Sequence, residues 1–276
     1  MATTINTIPA WIKFFSSTPI PVLKQTERAL DEIKTDDNKL CARAISAIVM
    51  DDPLMVFKVL SYAQTHKGRH QIHDLVHVEQ AILMMGTEAF FNQLAPAPLV
   101  ETVLSANIVA LTHILKLIKR AHRAAHFATD WAVMLQDIHA DELRVAALLH
   151  DLGEMLMWCF APDKMQAIFN AQQLDKTLRS KAAQEQFLGF KLIDLQKALI
   201  EAFNLPELLS RLMLEDAINE QRVKNVTLAV NLARHLANGW NNAALPDDYR
   251  DIAKLLRLDV ERVKFIVGVP KEASLD

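Results

Sequence analysis

The chain has 276 residues, a hydrophobic fraction of 51% and a formal net charge of −3, enough apolar material for one large core or two modest ones. Charge so close to balance excludes a global attraction to nucleic acid or anionic lipid, so any phosphate site must be local. Two cysteines, Cys41 and Cys159, are too few for a disulfide framework, no apolar run reaches membrane-spanning length, and the start lacks the pattern of a signal peptide. A cytoplasmic protein with reduced thiols and no membrane partner is the expectation. Glycine is sparse at six residues while Ala, Leu and Met are plentiful, a mix that favours helices over strands and hairpins, and an all-α fold follows.

Near the start, Trp11, Phe14 and Phe15 form an aromatic cluster before the turn-like Ser16 to Pro19. The cluster is too short to hold a protein on a membrane, and docking on the chain's own core is its expected use. From Pro21 to Lys34, Val22, Leu23, Ala29, Leu30 and Ile33 recur at helical spacing. A second helix is expected over Lys39 to Val49, and Asp51, Asp52 and Pro53 then open a third, with Asp at the cap and Pro in the first turn. His66, His70, His73 and His77 follow at separations of four, three and four. On one continuous helix they would line a face and suit zinc, but Gly68 interrupts it, and a solvated loop is the ordinary reading. Leu75 to Met85 reads as the next helix, stopped by Gly86.

Ala95, Pro96, Ala97 and Pro98 form the clearest break, so a boundary is expected there: an N-terminal helical part over 1–98 and a helical bundle over 99–276, with a helical linker from Leu99 to Leu117. A basic stretch holding Lys116, Lys119, Arg120, His122, Arg123 and His126 opens a helix continuing to about Gln136. Its charges form either a solvated face or a local phosphate contact. The run from Arg144 to Met157 is then apolar at helical spacing, with His150 and Asp151 set side by side in it and Gly153 close behind. Such a pair can bind one metal ion through a nitrogen and an oxygen, or be satisfied by backbone groups without any ion. Leu148, Leu149 and Leu152 should be buried. Asp247 to Val267 reads as one or two packing helices. No Gly-rich phosphate loop, Gly-x-Ser-x-Gly elbow, CxxC or His-Glu-x-x-His occurs, and no catalytic set is assigned.

The segment Leu148, Leu149, His150, Asp151, Leu152, Gly153 resembles the central motif of the HD superfamily of metal-dependent phosphohydrolases, and more closely its HDOD branch, the HD-related output domain of bacterial signalling proteins. The likeness runs from about Ile20 to Ala237. Ala44 to Leu60 looks like that branch's apolar helix, acidic-Pro turn and second apolar helix, with Gln64 and Thr65 where Asn-Ser is usual. The resemblance implies an HD-like helical bundle preceded by an N-terminal helical subdomain, the two forming one HDOD unit. It also implies that His122, 28 positions before His150, could join His150 and Asp151 around one ion.

Departures from the family pattern weaken that site. The later ligand Asp is missing: Arg234 stands near its position, and no Asp or Glu occurs from Gln221 to Pro246. Leu192 replaces a family His, Gln196 a family Gly, and Glu215, Asp216 and Ala217 fall where many members carry a His pair. A guanidinium in place of a carboxylate repels a metal and could instead pair with Asp151, leaving a metal-free core. The resemblance therefore implies a non-catalytic signal-transduction protein that binds a signalling partner or a phosphorylated small molecule, with no cofactor expected; the cations Arg120, Arg123 and Arg234 are the candidate ligand contacts. The competing expectation is a phosphohydrolase acting on a nucleotide or cyclic dinucleotide, with a divalent metal at His122, His150 and Asp151.

Overall fold

The structure, a computed structural model, describes residues 5–36, 40–66, 76–213 and 220–270. His70 and His73, and Glu215, Asp216 and Ala217, lie outside the described residues. As expected the fold is all-α: among the described residues there is no strand, only an isolated bridge between Val22 and Leu99. No helix of the described residues is long and apolar enough to cross a membrane.

The chain forms two compact units. The first runs to Ile118 and resumes over Asp151–Glu207; the second comprises Lys119–His150 and the chain from Leu208 onward. The first unit begins with α1 (Ile8–Ser17), α2 (Lys24–Lys34), α3 (Ala42–Val49), α4 (Pro53–Thr65) and α5 (Val78–Met85). A short α6 (Thr87–Ala89) passes into a π-helical turn over Phe90–Leu94, followed by α7 (Val100–Val103) and the start of α8 (Ile108–Met134). Next in the chain, α9 (Ala140–Leu149) belongs to the second unit, and α10 (Leu152–Phe160), α11 (Pro162–Leu174), α12 (Ser180–Leu188) and α13 (Leu192–Ala202) complete the first. The second unit ends in α14 (Glu207–Met213), α15 (Gln221–Leu236), α16 (Leu245–Leu256) and α17 (Val260–Val267).

Asp52 shows how local sequence sets the first unit. It caps α4, with Pro53 in the first turn as expected, and its Oδ1 accepts from the backbone N–H of Leu54 (3.0 Å) and Met55 (3.2 Å). Its Oδ2 accepts from the Leu23 N–H (2.7 Å) and the Thr26 hydroxyl (3.1 Å). One buried carboxylate thus satisfies orphan donors at the starts of both α2 and α4. Burial pushes its pKa up, against the pull of those four donors. Lys58, also on α4, donates to the Leu94 carbonyl (2.8 Å); burial lowers its pKa to about 8 despite the Asp52 charge. The aromatic cluster docks as expected: Trp11 and Phe15 are fully buried, and Phe14 and Phe15 pack on Phe160 at 5.3 and 5.7 Å.

The Pro-rich stretch does not mark where the units part. The Val22 N–H donates to the Pro98 carbonyl and the Val100 N–H to the Val22 carbonyl, both at 2.9 Å, so residues 98–100 are stitched to the approach to α2 within the first unit. A single helical linker is also absent. After α7 the chain turns, and Asn107 starts α8 by accepting from the Ala110 N–H at 3.0 Å; the helix begins at Ile108, eight residues before the expected opening at Lys116.

Candidate functional site

The residues around the His-Asp pair are buried as their spacing predicts: Leu148, Leu149 and Leu152 are each at most 1% exposed. The helix across them is not continuous. α9 stops at Leu149, His150 caps it, and Asp151 (φ −103°, ψ 26°) leaves helical geometry before α10 begins. The Asp151 carbonyl accepts the first bond of α10, from the Met155 N–H at 3.0 Å, but its side chain makes no capping bond. The pair therefore sits at a joint between two helices, where the compact units also divide.

What serves the start of α10 is Gln196. The Gly153 N–H, one of the four donors a helix start leaves over, gives its proton to Gln196 Oε1 at 2.8 Å. Gln196 is 3% exposed on α13. A Cβ on Gly153 would stand 3.4 Å from that same oxygen, 3.5 Å from the Leu192 carbonyl and 3.6 Å from the Gln196 nitrogen. These are ordinary van der Waals distances, so α10 lies close against α13, and the Gln196 carboxamide satisfies the start of α10 at that contact. Gln196 and Leu192 both lie against the residue that closes the motif.

The other expected site residues fall in the second unit, apart from Asp151. His122 and His150 are half-buried, as are Arg120 and Arg123, all four within Lys119–His150. Arg234 is exposed on the last turn of α15, a favourable end for a cation in the helix field. His126 faces solvent and pairs with Asp130 at 3.3 Å. Among the described residues, no three His, Cys, Asp or Glu side chains are gathered closely enough to share one metal ion.

Two clusters in the second unit carry no motif in the sequence. Arg222 at the start of α15 grips Asp137 through Nε and Nη2, both at 2.8 Å, and reaches Glu142 at 3.6 Å, while Glu142 also meets His139 Nδ1 at 2.9 Å. Burial alone would raise the Asp137 pKa, but the His139 N–H and the Arg222 guanidinium hold it below the ordinary value. Around Arg123, the guanidinium lies over the rings of Phe127 (5.6 Å) and Trp240 (5.4 Å). Burial lowers its pKa, opposed by the neighbouring Tyr249. His235 Nδ1 and Asp248 Oδ2 are 2.5 Å apart, tying α15 to α16.

Comparison with known proteins agrees with this fold. The model of the HDOD domain family matches residues 20–217, and no curated protein matches the chain. Among solved structures, a virulence factor from Campylobacter jejuni subsp. jejuni superposes with a TM-score of 0.70 at 18% identity, covering 97% of this chain and 99% of that one. The MmoQ response regulator from Methylococcus capsulatus str. Bath superposes with a TM-score of 0.68 at 17% identity, covering 91% and 99%. At such identities these likenesses bear on the fold alone.

Proposed function

We propose, from the premise that this chain belongs to the HDOD domain family, that it is a bacterial signal-transduction regulator acting by binding a protein partner or a phosphorylated small ligand, without turning over a substrate. The observation that carries this reading is the Gln196 carboxamide bonded to the Gly153 N–H beside the His-Asp joint. A polar side chain has been recruited there to satisfy the backbone, in a segment where Leu192 stands for a family His. Phosphoester hydrolysis in the HD superfamily needs an ion that lowers the pKa of a bound water and polarises the phosphoryl group. Holding that ion takes a carboxylate from a later helix, and the sequence resemblance puts Arg234, an exposed residue of α15, near that position, where a cation would repel the ion.

The response-regulator description of one structural neighbour suits a regulator, though what it binds is its own property. The retention of His122, His150 and Asp151 favours a second reading, a metal-dependent HD phosphohydrolase acting on a nucleotide or cyclic dinucleotide. Thermal melts of chelator-free protein with added Mn2+, Mg2+ or Zn2+ separate the two. An ion that does not bind the native state cannot stabilise it, so the binding reading expects no change in Tm. A saturable rise in Tm that His150→Ala and Asp151→Ala each abolish would favour the phosphohydrolase.

A further inference from the structure

No Asp or Glu occurs in α8 before Asp130, whereas Lys116, Lys119, Arg120 and Arg123 all lie on it. Arg123 is the one of these that aromatic rings of the second unit flank. Phe127 lies one helical turn beyond it on the same face. Gly239, at φ +100°, where a side chain would be strained, turns the chain after α15, and Trp240 follows to meet the guanidinium. Aromatic contact engages the flat faces of a guanidinium and leaves its in-plane N–H groups for other acceptors. Among the described residues, none of those donors has a hydrogen bond or an ion pair.

The neighbouring acids do not supply a counter-charge. On α16, Asp247 pairs with Arg250, Asp248 with His235 and Asp251 with Lys254, and Glu261 of α17 pairs with Lys264. Tyr249, the group felt most by Arg123 after burial itself, is uncharged near neutral pH, its own pKa being raised by burial. A half-buried planar cation thus lies against two rings, with its hydrogen-bonding edge uncommitted.

We propose that Arg123, flanked by Phe127 and Trp240, is the anion contact of a site for the phosphate group of a small phosphorylated molecule. This rests on the binding reading above and gives its ligand a chemistry. Phosphate suits the fork because two of its oxygens can take two parallel N–H donors, and the partial burial strengthens that attraction relative to water.

The test is a titration of the full chain with inorganic phosphate and with pyrophosphate at constant ionic strength, followed by tryptophan fluorescence. Trp240 meets the Arg123 guanidinium directly and is the expected reporter, so Trp240→Phe should remove most of the signal. A saturable change is expected in the parent. Arg123→Gln should weaken it by about tenfold or more, the loss of a charge-assisted bond, and Arg123→Lys should weaken it as well, because an ammonium keeps the charge without the fork. Absence of a saturable change with either anion, or equal affinity in an Arg123→Gln protein of unchanged helical circular dichroism, would overturn the proposal. If Arg123→Gln does not fold, equal affinity in Arg123→Lys does the same, as would binding seen only with vesicles containing phosphatidic acid. Metal-dependent hydrolysis elsewhere in the chain would sink the regulator reading without moving this result, and loss of anion binding would leave that reading standing.

Discussion

Replacing Gln196 by leucine keeps most of the side chain's volume on α13 and removes the acceptor that the Gly153 N–H uses at 2.8 Å. The N–H lies at the buried start of α10 and has no intrahelical partner, so the substitution strands a buried donor, which costs about 1–3 kcal/mol. Gln196→Gly loses the same bond, adds the roughly 0.5–1 kcal/mol penalty of glycine inside a helix, and opens a void where the carboxamide packs. The expected order is therefore parent, then Leu, then Gly, with the glycine variant about 2–4 kcal/mol below the parent. Urea unfolding followed by circular dichroism at 222 nm reads these differences as shifts in the midpoint at constant slope. A leucine variant within about 0.5 kcal/mol of the parent, as at an ordinary surface position, would refute the claim that Gln196 serves the helix after the His-Asp pair.

Asp52→Ala removes the acceptor for donors at Leu23, Thr26, Leu54 and Met55. A lost cap and a stranded Leu23 N–H together predict a loss of about 2–4 kcal/mol in a thermal or urea melt. Asp52→Asn should fall in between, since one amide can keep the α4 bonds or the Leu23 bond but not both; an Asn variant melting with the parent would count against the double-cap geometry. The Lys58 pKa, lowered to about 8 from 10.5, makes the unfolded chain bind more protons between those values, so this residue's contribution to stability should climb as pH rises from about 8 to 10.5, by at most about 3 kcal/mol. Cys159, whose thiol burial pushes well above its ordinary value, acts in the opposite sense above pH 9. The quantity to measure is therefore the difference between parent and Lys58→Met across that window, and a difference independent of pH would contradict the assignment.

Local signals were the most legible in the sequence. The period of Leu148, Leu149 and Leu152 placed them in the core, and Asp52 with Pro53 announced a helix start because capping chemistry is confined to a few adjacent residues. Signals that depend on distant contacts were not legible. Pro96 and Pro98 read as a boundary, but the backbone bonds from Val22 that tie this stretch into the first unit come from 76 and 78 residues earlier. The joint between His150 and Asp151 is invisible in a pattern that continues at helical spacing on both sides. Gln196 could be read only as a departure from a family pattern, since its bond to Gly153 spans 43 residues. The basic character of α8 was plain, but nothing local marks Arg123 over its neighbours; Trp240, which singles it out, lies across three intervening helices of the second unit.

The measurement that bears most directly on the central claim is a turnover assay. The full chain, supplied in turn with Mn2+, Mg2+ and Zn2+, is incubated with mononucleotides and with cyclic dinucleotides, and the products are separated by ion-exchange chromatography. A regulator that binds without hydrolysis leaves each nucleotide intact at the rate of the metal and buffer alone. Hydrolysis that requires the metal, scales with protein concentration and disappears in both His150→Ala and Asp151→Ala would contradict the account and establish the phosphohydrolase in its place.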